Sequence, residues 1–333
     1  MKQTNIRWWQ VVLLGAALVT ATLRATPFQT TVLTKGVIWA ILAMSVWFLL
    51  CVCDRASLGH AAFFGISAYA TGIAITRWEY TNFWLILGLA IAVSTVAGGI
   101  VAIVAGRLND VHFLLVTLAF AEMLRSLTTR WRELGGDDGL TGVIRPSMWP
   151  VPLDLSDPQN LLWACLGGLA IVVALLAVVV RSPFGAVLLG LRDSETRMAA
   201  LGYSPFAYRT AGFVLSAAIA AVAGVMNALL TRFVSPSELT ALVSARALLI
   251  VVIGSSLAML GPVVVAIALT VVEDQLSSHT KNWAGILGVM YVIIAMFRNT
   301  PWKNLARRVS GGRWGAMREA APVEVRPLVL EES

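Results

Sequence analysis

The chain is 333 residues long, 58% hydrophobic and only 13% charged, against about 45–50% apolar and about 25% charged in a soluble domain. With a mean hydropathy of +0.79, the excess is too large for a bigger core, so composition excludes an ordinary soluble protein and predicts one polytopic, all-α membrane bundle. The net charge of +7 does not point to nucleic acid: no stretch outside the apolar segments interleaves basic and aromatic residues, and Lys and Arg gather in short loops, as cytoplasmic loops do.

About ten apolar segments follow in chain order, near 8–24, 33–53, 56–76, 83–106, 111–130, 160–180, 206–230, 243–259, 261–277 and 281–297. The first has a basic flank (Lys2, Arg7) but no small-residue cleavage site in Leu23-Arg24-Ala25-Thr26-Pro27, so it reads as a retained helix rather than a removed signal. Leu260-Gly261-Pro262 separates the eighth and ninth segments as a tight turn or a broken helix. Lys2, Arg7, Arg55, Arg107, Arg181, Arg192, Arg197 and Arg298 fall on one side, which predicts that both termini and the 181–205 loop are cytoplasmic. The opposite side carries a long loop, 131–159, in which Glu133, Asp137, Asp138, Asp154 and Asp157 outnumber the arginines. The transmembrane domain is expected over 1–298, with 299–333 a flexible cytoplasmic tail.

Within 181–205 lies a short polar helix, Arg192-Asp193-Ser194-Glu195-Thr196-Arg197-Met198-Ala199-Ala200-Leu201-Gly202. Asp193 reads as its N-cap and Gly202 as its C′ residue, with Pro205 just beyond. Two readings fit it: a handle gripped by a soluble partner, or a solvated loop helix. Small residues every four positions, Ser216-Ala220-Gly224-Ala228 and Gly98-Ala102-Gly106, mark close helix crossings, either along a path or as plain bundle packing.

Catalytic chemistry finds no support. The three histidines, His60, His112 and His279, lie in three separate segments, and there is no H-E-x-x-H and no G-x-x-x-x-G-K-[ST], so the chain has no phosphate loop of its own for ATP. Cys51, Cys53 and Cys165 all sit in apolar segments, which suits buried hydrophobes rather than a disulfide framework or a zinc site. No metal or cofactor is expected. Ionisable groups inside spans need a reason. Glu122 and Arg125, three apart, can pair, and Glu122 either borders a polar path or only neutralises Arg125. His60, after Leu58-Gly59, reads as a hydrogen-bonded helix-end histidine or a ligand, His112 as interfacial, and Arg246 as snorkelling outward.

Four stretches then match a known family. They are Ser57-Leu58-Gly59-His60-Ala61-Ala62-Phe63-Phe64-Gly65; Thr117-Leu118-Ala119-Phe120-Ala121-Glu122-Met123; Gly135-Gly136-Asp137-Asp138-Gly139-Leu140-Thr141-Gly142; and Ser182-Pro183-Phe184-Gly185 through Arg192-Asp193-Ser194-Glu195 and Ala200-Leu201-Gly202 to Phe233-Val234-Ser235-Pro236. On these the chain resembles the branched-chain (hydrophobic) amino-acid permease subunits of bacterial ABC importers. The resemblance implies a multi-pass protein of the inner membrane that is not an enzyme. Its partners would be a second related permease, two P-loop ATPase subunits that bind the ATP, and a periplasmic substrate-binding protein. Arg192, Asp193, Glu195, Ala199, Ala200 and Gly202 fall where the family keeps its ATPase-coupling helix. Gly59, His60, Gly65, Thr117 and Glu122 are expected along the translocation pathway, where Gly-rich broken helices can offer free backbone groups to a zwitterion. Asp137 and Asp138 are expected at the binding-protein docking face, the alternative being a plain solvated loop. The chain departs from the family pattern at Gly254-Ser255-Ser256-Leu257-Ala258-Met259-Leu260-Gly261-Pro262, at His112 and at Arg298-Asn299-Thr300-Pro301-Trp302, which bears on the cargo. Rival readings are the same machinery with urea or a short amide as cargo, an ion-driven secondary transporter, and a non-transporting scaffold.

Overall fold

The computed structural model describes residues 26–298, apart from 109, 150, 152, 256–258 and 281, together with Gly15 and Thr22. The expected first span (8–24), nearly in full, and the tail 299–333 lie outside the described residues. The chain parts into two units, Met1–Tyr291 and Val292–Ser333; residues 292–298 belong to the second and are helical.

Eleven helices are described: α1 (Pro27–Trp47, continued by a π-helical turn Phe48–Val52), α2 (His60–Thr76), α3 (Phe83–Ala105), α4 (Asp110–Arg130), α5 (Pro158–Arg181), α6 (Pro183–Asp193), α7 (Glu195–Ala200), α8 (Pro205–Thr231), α9 (Ala241–Gly254), α10 (Gly261–His279) and α11 (Trp283–Arg298). Six of these, α1, α3, α4, α5, α8 and α10, are long and apolar enough to cross a membrane, and α2 and α9 are shorter apolar helices. Helices occupy the second to tenth expected segments, of which six are long and apolar enough to span; the third starts late, at His60, and the eighth ends early, at Gly254.

The helix starts follow their sequences. Thr26 and Gln29 form a capping box at α1, and Asn82, Asp157 and Ser204 cap α3, α5 and α8 through their side chains. Pro158 and Pro205 occupy the first helical turn, where a missing N–H costs nothing. α8 stops where Arg232 turns left-handed at φ +55°.

The layers follow from burial. α1 is enclosed along most of its length, with Val37, Ala40, Ile41, Leu42, Met44 and Trp47 fully buried; it packs against α5, α8, α9 and α10. α8 packs against α2 and α3 on its other side. Both small-residue ridges serve these crossings. A Cβ on Gly224 would overlap the Phe64 carbonyl and the Ser67 hydroxyl of α2, and one on Gly98 would meet Ala217 of α8. With little hydrophobic drive between helices in lipid, such close backbone approach is what holds them together.

The helix ends gather into two groups. At the near end, Arg55 pairs with Asp110 at 3.5 Å and donates to the Leu108 carbonyl, Arg192 donates to the Cys51 carbonyl, and Arg209 pairs with Glu195 at 2.7 Å. At the far end, Arg77 pairs with Glu133, and Leu140–Thr141 (β1) lies antiparallel to Phe233–Val234 (β2). Arg145 donates to the carbonyls of Leu229, Leu155 and Ser156, tying the long loop to the end of α8.

One expectation is overturned. Arg246 does not snorkel outward: its guanidinium makes a two-pronged ion pair with Glu273 of α10 and sits 4.1 Å from the centroid of the Trp39 ring of α1. A carboxylate at matching depth on the neighbouring helix and an aromatic face give the charge a better environment than the distant interface.

Two predictions follow from this packing. Gly224→Val overpacks a backbone crossing and should cost at least about 1–3 kcal/mol, seen as a lower thermal midpoint in detergent, whereas Gly167→Ala, with nothing within 4 Å of a Cβ, should leave the midpoint unchanged. Arg246→Ala should destabilise by about 3–5 kcal/mol because it strands Glu273 as a buried charge, and the paired change Arg246→Met with Glu273→Leu should recover most of that loss.

Candidate functional site

Three clusters hold the residues expected to function. The first is a break inside the bundle. Cys53–Gly59 is non-helical, and α2 begins at His60 with a cap, Gly59, that has no side chain to offer. Neighbouring helices supply what is missing. Ser244 of α9 accepts from the Ala61 N–H at 2.8 Å, Thr117 of α4 accepts from the Leu58 N–H at 3.3 Å, and Ser57 accepts from the Gly59 N–H at 3.0 Å. A Cβ at Gly59 would press on Thr117, which would have to give by a few tenths of an ångström. His60 Nε2 lies 2.8 Å from Ser216 Oγ, and Ser216 gives its proton to the Ser45 carbonyl at 2.8 Å. A hydroxyl has one proton, so Ser216 accepts, and the network assigns the histidine proton to Nε2.

The second half of the break is the segment 232–240. It runs back from the end of α8 and packs on α2 and α4, and Leu239 occupies the place where a side chain at Gly65 would stand. Glu238 accepts from Asn227 at 2.7 Å. α9 starts beyond it, with Thr240 making no side-chain cap. Glu122 takes that role from α4: one carboxylate oxygen accepts from the Ala241 N–H at 3.3 Å, and the other accepts from Arg125 at 2.7 Å. A carboxylate at a helix start also meets the positive end of the helix dipole.

Of the five residues expected along a pathway, Gly59, His60, Gly65 and Thr117 are buried among helices, and Glu122 alone is partly exposed, its side chain at 38%. The structure packs Gly59 directly against Thr117, both buried. A cleft of about 270 Å³ lies elsewhere, among apolar side chains including Tyr69, Ile73, Val93, Leu124 and Leu127.

The second cluster is the near-end helix, and here the expected boundaries change. Arg192 and Asp193 end α6, and the N-cap of α7 is Ser194, not Asp193; Ser194 accepts from the Arg197 N–H. The break has a local cause: Ser182-Pro183 starts α6 eleven residues earlier, and Ser194 leaves helical geometry at φ −165°. At the other end Gly202 takes φ +90°. The Tyr203 N–H reaches back to the Met198 carbonyl and the Gly202 N–H to that of Ala199, the pattern of a left-handed glycine C-cap. Met198 covers Gly190 of α6, and Glu195 holds Arg209 of α8. Ala199, Ala200 and Leu201 are left in the open, Leu201 at 73%. Beneath them, burial lowers the pKa of the Arg55 guanidinium, and the nearby Arg209 charge adds to this while Asp110 opposes it.

The third cluster is the far-end loop. Asp137 and Asp138 are exposed on a single turn, Gly136–Asp138, between Gly135 (φ +87°) and Gly139 (φ +70°). Gly139 lies so close to the Val234 carbonyl that no side chain fits, so the turn is fixed against β2.

The residues that sequence reasoning missed are partners rather than motifs: Ser45 and Ser244 as acceptors, Asn227 for Glu238, and Glu273 for Arg246. Each needs a neighbour from a distant part of the chain, and only Glu273 carried a signal, as a carboxylate within an apolar run. Among the described residues no group of three or more His, Cys, Asp or Glu could hold a metal ion. All three cysteines are buried and none forms a disulfide.

The profile of the branched-chain amino acid transport system / permease component family matches residues 29–296. The high-affinity branched-chain amino acid transport system permease protein LivM of Salmonella typhimurium is 28% identical over 287 residues, 80% of this chain and 67% of the relative, and LivM of Escherichia coli is 27% identical over the same shares. No solved structure matches significantly. With the match running from the first described span into the last described helix, the chain belongs to the branched-chain amino acid transport system permease family and is a multi-pass membrane protein.

Proposed function

We propose that this chain is one of two membrane subunits of a bacterial ABC importer for branched-chain and other hydrophobic amino acids. A second related permease completes the pore, two P-loop ATPases bind and split the ATP, and a periplasmic binding protein delivers the cargo. The observation that carries the proposal is α7: a six-residue helix, capped at both ends, whose alanine and leucine face is exposed while its other contacts run into the bundle. A helix too short to be stable alone is kept here in a fixed pose, as a grip requires. The near end carries Arg55, Arg107, Arg181, Arg192 and Arg197, which supports placing it, with α7, in the cytoplasm. Asp137 and Asp138, held rigidly at the far end, are then the docking face for the binding protein.

The transmission route is short. Movement of the ATPases displaces α7; Glu195 passes that displacement to Arg209, near the start of α8. Seven residues on, Ser216 of the same helix holds His60 and the Ser45 carbonyl. α8 therefore links the gripped helix to the break where α2 begins, and ATP biases an equilibrium between two arrangements of that break. The cargo is a zwitterion with an apolar side chain. The starts of α2 and α9 and the Glu122 carboxylate are the groups suited to its charged ends.

The test is reconstitution in proteoliposomes with the ATPases, second permease and binding protein, measuring leucine uptake and ATP hydrolysis together. Ala200→Asp, on the open face and in no internal contact, should cut uptake about tenfold while hydrolysis continues. Glu195→Gln, which weakens the Arg209 pair, should cut uptake by a smaller factor. Uptake at the wild-type rate in Ala200→Asp contradicts the coupling assignment. Uptake without ATP would favour an ion-driven transporter, and uptake of urea in place of leucine would replace the cargo.

A further inference from the structure

The apolar cleft of about 270 Å³ is a notch between helices. Tyr69 and Ile73 of α2 form its floor, Val93 of α3 one wall, and Leu124 and Leu127 of α4 the other. Val93 and Leu127 line it and are also 42% and 47% exposed, so it opens sideways, onto the outer surfaces of α3 and α4. Those surfaces are mainly apolar, with Val96, Ile100 and Ile103 on the first and Val111, Leu115 and Met123 on the second. The cleft itself offers almost nothing polar. The Thr128 hydroxyl donates to the Arg125 carbonyl, and the Tyr69 hydroxyl is buried away from the opening.

Depth and length identify what fits. Trp78 and Leu134, from the far-end loops, close the top of the cleft. Val93, on its wall, lies ten residues into α3 from Phe83, about 15 Å along the helix. The cleft therefore runs from the far interface through half of a hydrocarbon core about 30 Å thick, the depth of one leaflet. A space this apolar stays dry, although a single water needs only about 10–15 Å³. It is equally unsuited to an amino acid, whose two charged ends would find no partners. The charges beside it that suit a phosphate stand at its upper end. Arg130 follows Leu127 by three residues, on the same side of α4, and Arg132 precedes Leu134 by two. Trp78 and Trp131 are exposed at this end, as aromatic residues are at a membrane interface.

We propose that this cleft holds one acyl chain of a phospholipid from the far-end leaflet, its tail along Ile73 and Val93 and its phosphate beside Arg130. The site is separate from any cargo path and does not depend on which molecule is carried. It does touch the break in the bundle. Leu239, which stands over Gly65 in the segment leading to α9, is part of the cleft lining. A chain seated there packs behind that segment, where an empty cleft would leave the lining without partner atoms on one side. The lipid is thus a packing element of the fold, supplied by the membrane rather than by the sequence.

The test uses the complete complex in vesicles of phosphatidylethanolamine and phosphatidylglycerol, with a trace of phosphatidylglycerol that carries a diazirine in one acyl chain. After irradiation, Ile73 on the cleft floor should be labelled, and Met44, fully buried in α1, should not. Ala70→Phe fills the floor, and Leu127→Trp blocks the mouth. Each should cut labelling at Ile73 at least about fivefold, while Val178 on the open face of α5 is labelled as before. Leu127→Trp changes a side chain at the surface, so it reports even where Ala70→Phe fails to fold. Arg130→Gln should lower the labelling by a smaller factor, and unchanged labelling there would overturn the phosphate contact. The proposal is overturned if Ile73 is labelled no more than Met44, or if neither cleft variant reduces its labelling. It is also overturned if Ile73 is labelled in the isolated chain but not in the complete complex, because a side chain of the second subunit would then fill the cleft.

Discussion

Hydrocarbon offers no hydrogen bonds, so a helix that begins inside a membrane must have its first amides satisfied by other parts of the protein. Among the described residues, α2 at His60 and α9 at Ala241 follow breaks in the bundle, and neither has a side-chain cap from its own N-cap residue. Ser244 and Thr117 serve the first; Glu122 serves the second. The arrangement runs one way: α9 caps α2, while α4 serves both. The long helices around them could be rearranged in many bundles, but these three bonds fix where α2, α4 and α9 meet.

The same constraint explains why the interior is polar yet closed. Ser45, Ser57, His60, Ser67, Thr71, Ser94, Thr117, Ser216 and Ser244 are all buried. Most of their hydroxyls return to a carbonyl on their own helix or cap a break, as Ser67 and Thr71 do. An open channel through the subunit would expose those bonds to water. α8 runs unbroken from Arg209, which meets Glu195 of α7, to Ser216, which meets His60.

Much of the fold was legible because membrane spans declare themselves by length and composition; the caps at Asn82, Asp157 and Ser204 were written in the sequence too but went unread. The near-end helix was legible in place but not in detail. Asp193 and Ser194 are both good caps, and the choice fell to Ser194 because α6, started by Ser182-Pro183, runs through Asp193 before the chain turns. Arg246 misled because its partners, Glu273 and Trp39, are 27 residues ahead and more than 200 behind in the chain. The candidate site was legible as a set of strings, with Gly59-His60, Thr117 and Glu122 among them. Their connections through Ser45, Ser216, Ser244 and Ala241 were not, since pairing across helices leaves no trace in periodicity.

The most direct check on this account is amide hydrogen exchange at Ala61 and Ala241 in the membrane-embedded protein. Both amides should be protected as well as those in the middle of α1. Ser244→Ala should speed exchange at Ala61 by about fivefold to tenfold, and Glu122→Gln should do so at Ala241 by a smaller factor, each leaving the other site untouched at first order. Exchange at loop rates in the wild-type protein, or no change at Ala61 in Ser244→Ala, would mean that these helix starts are not held in the way described, and the route from α7 to the break would lose its far anchor.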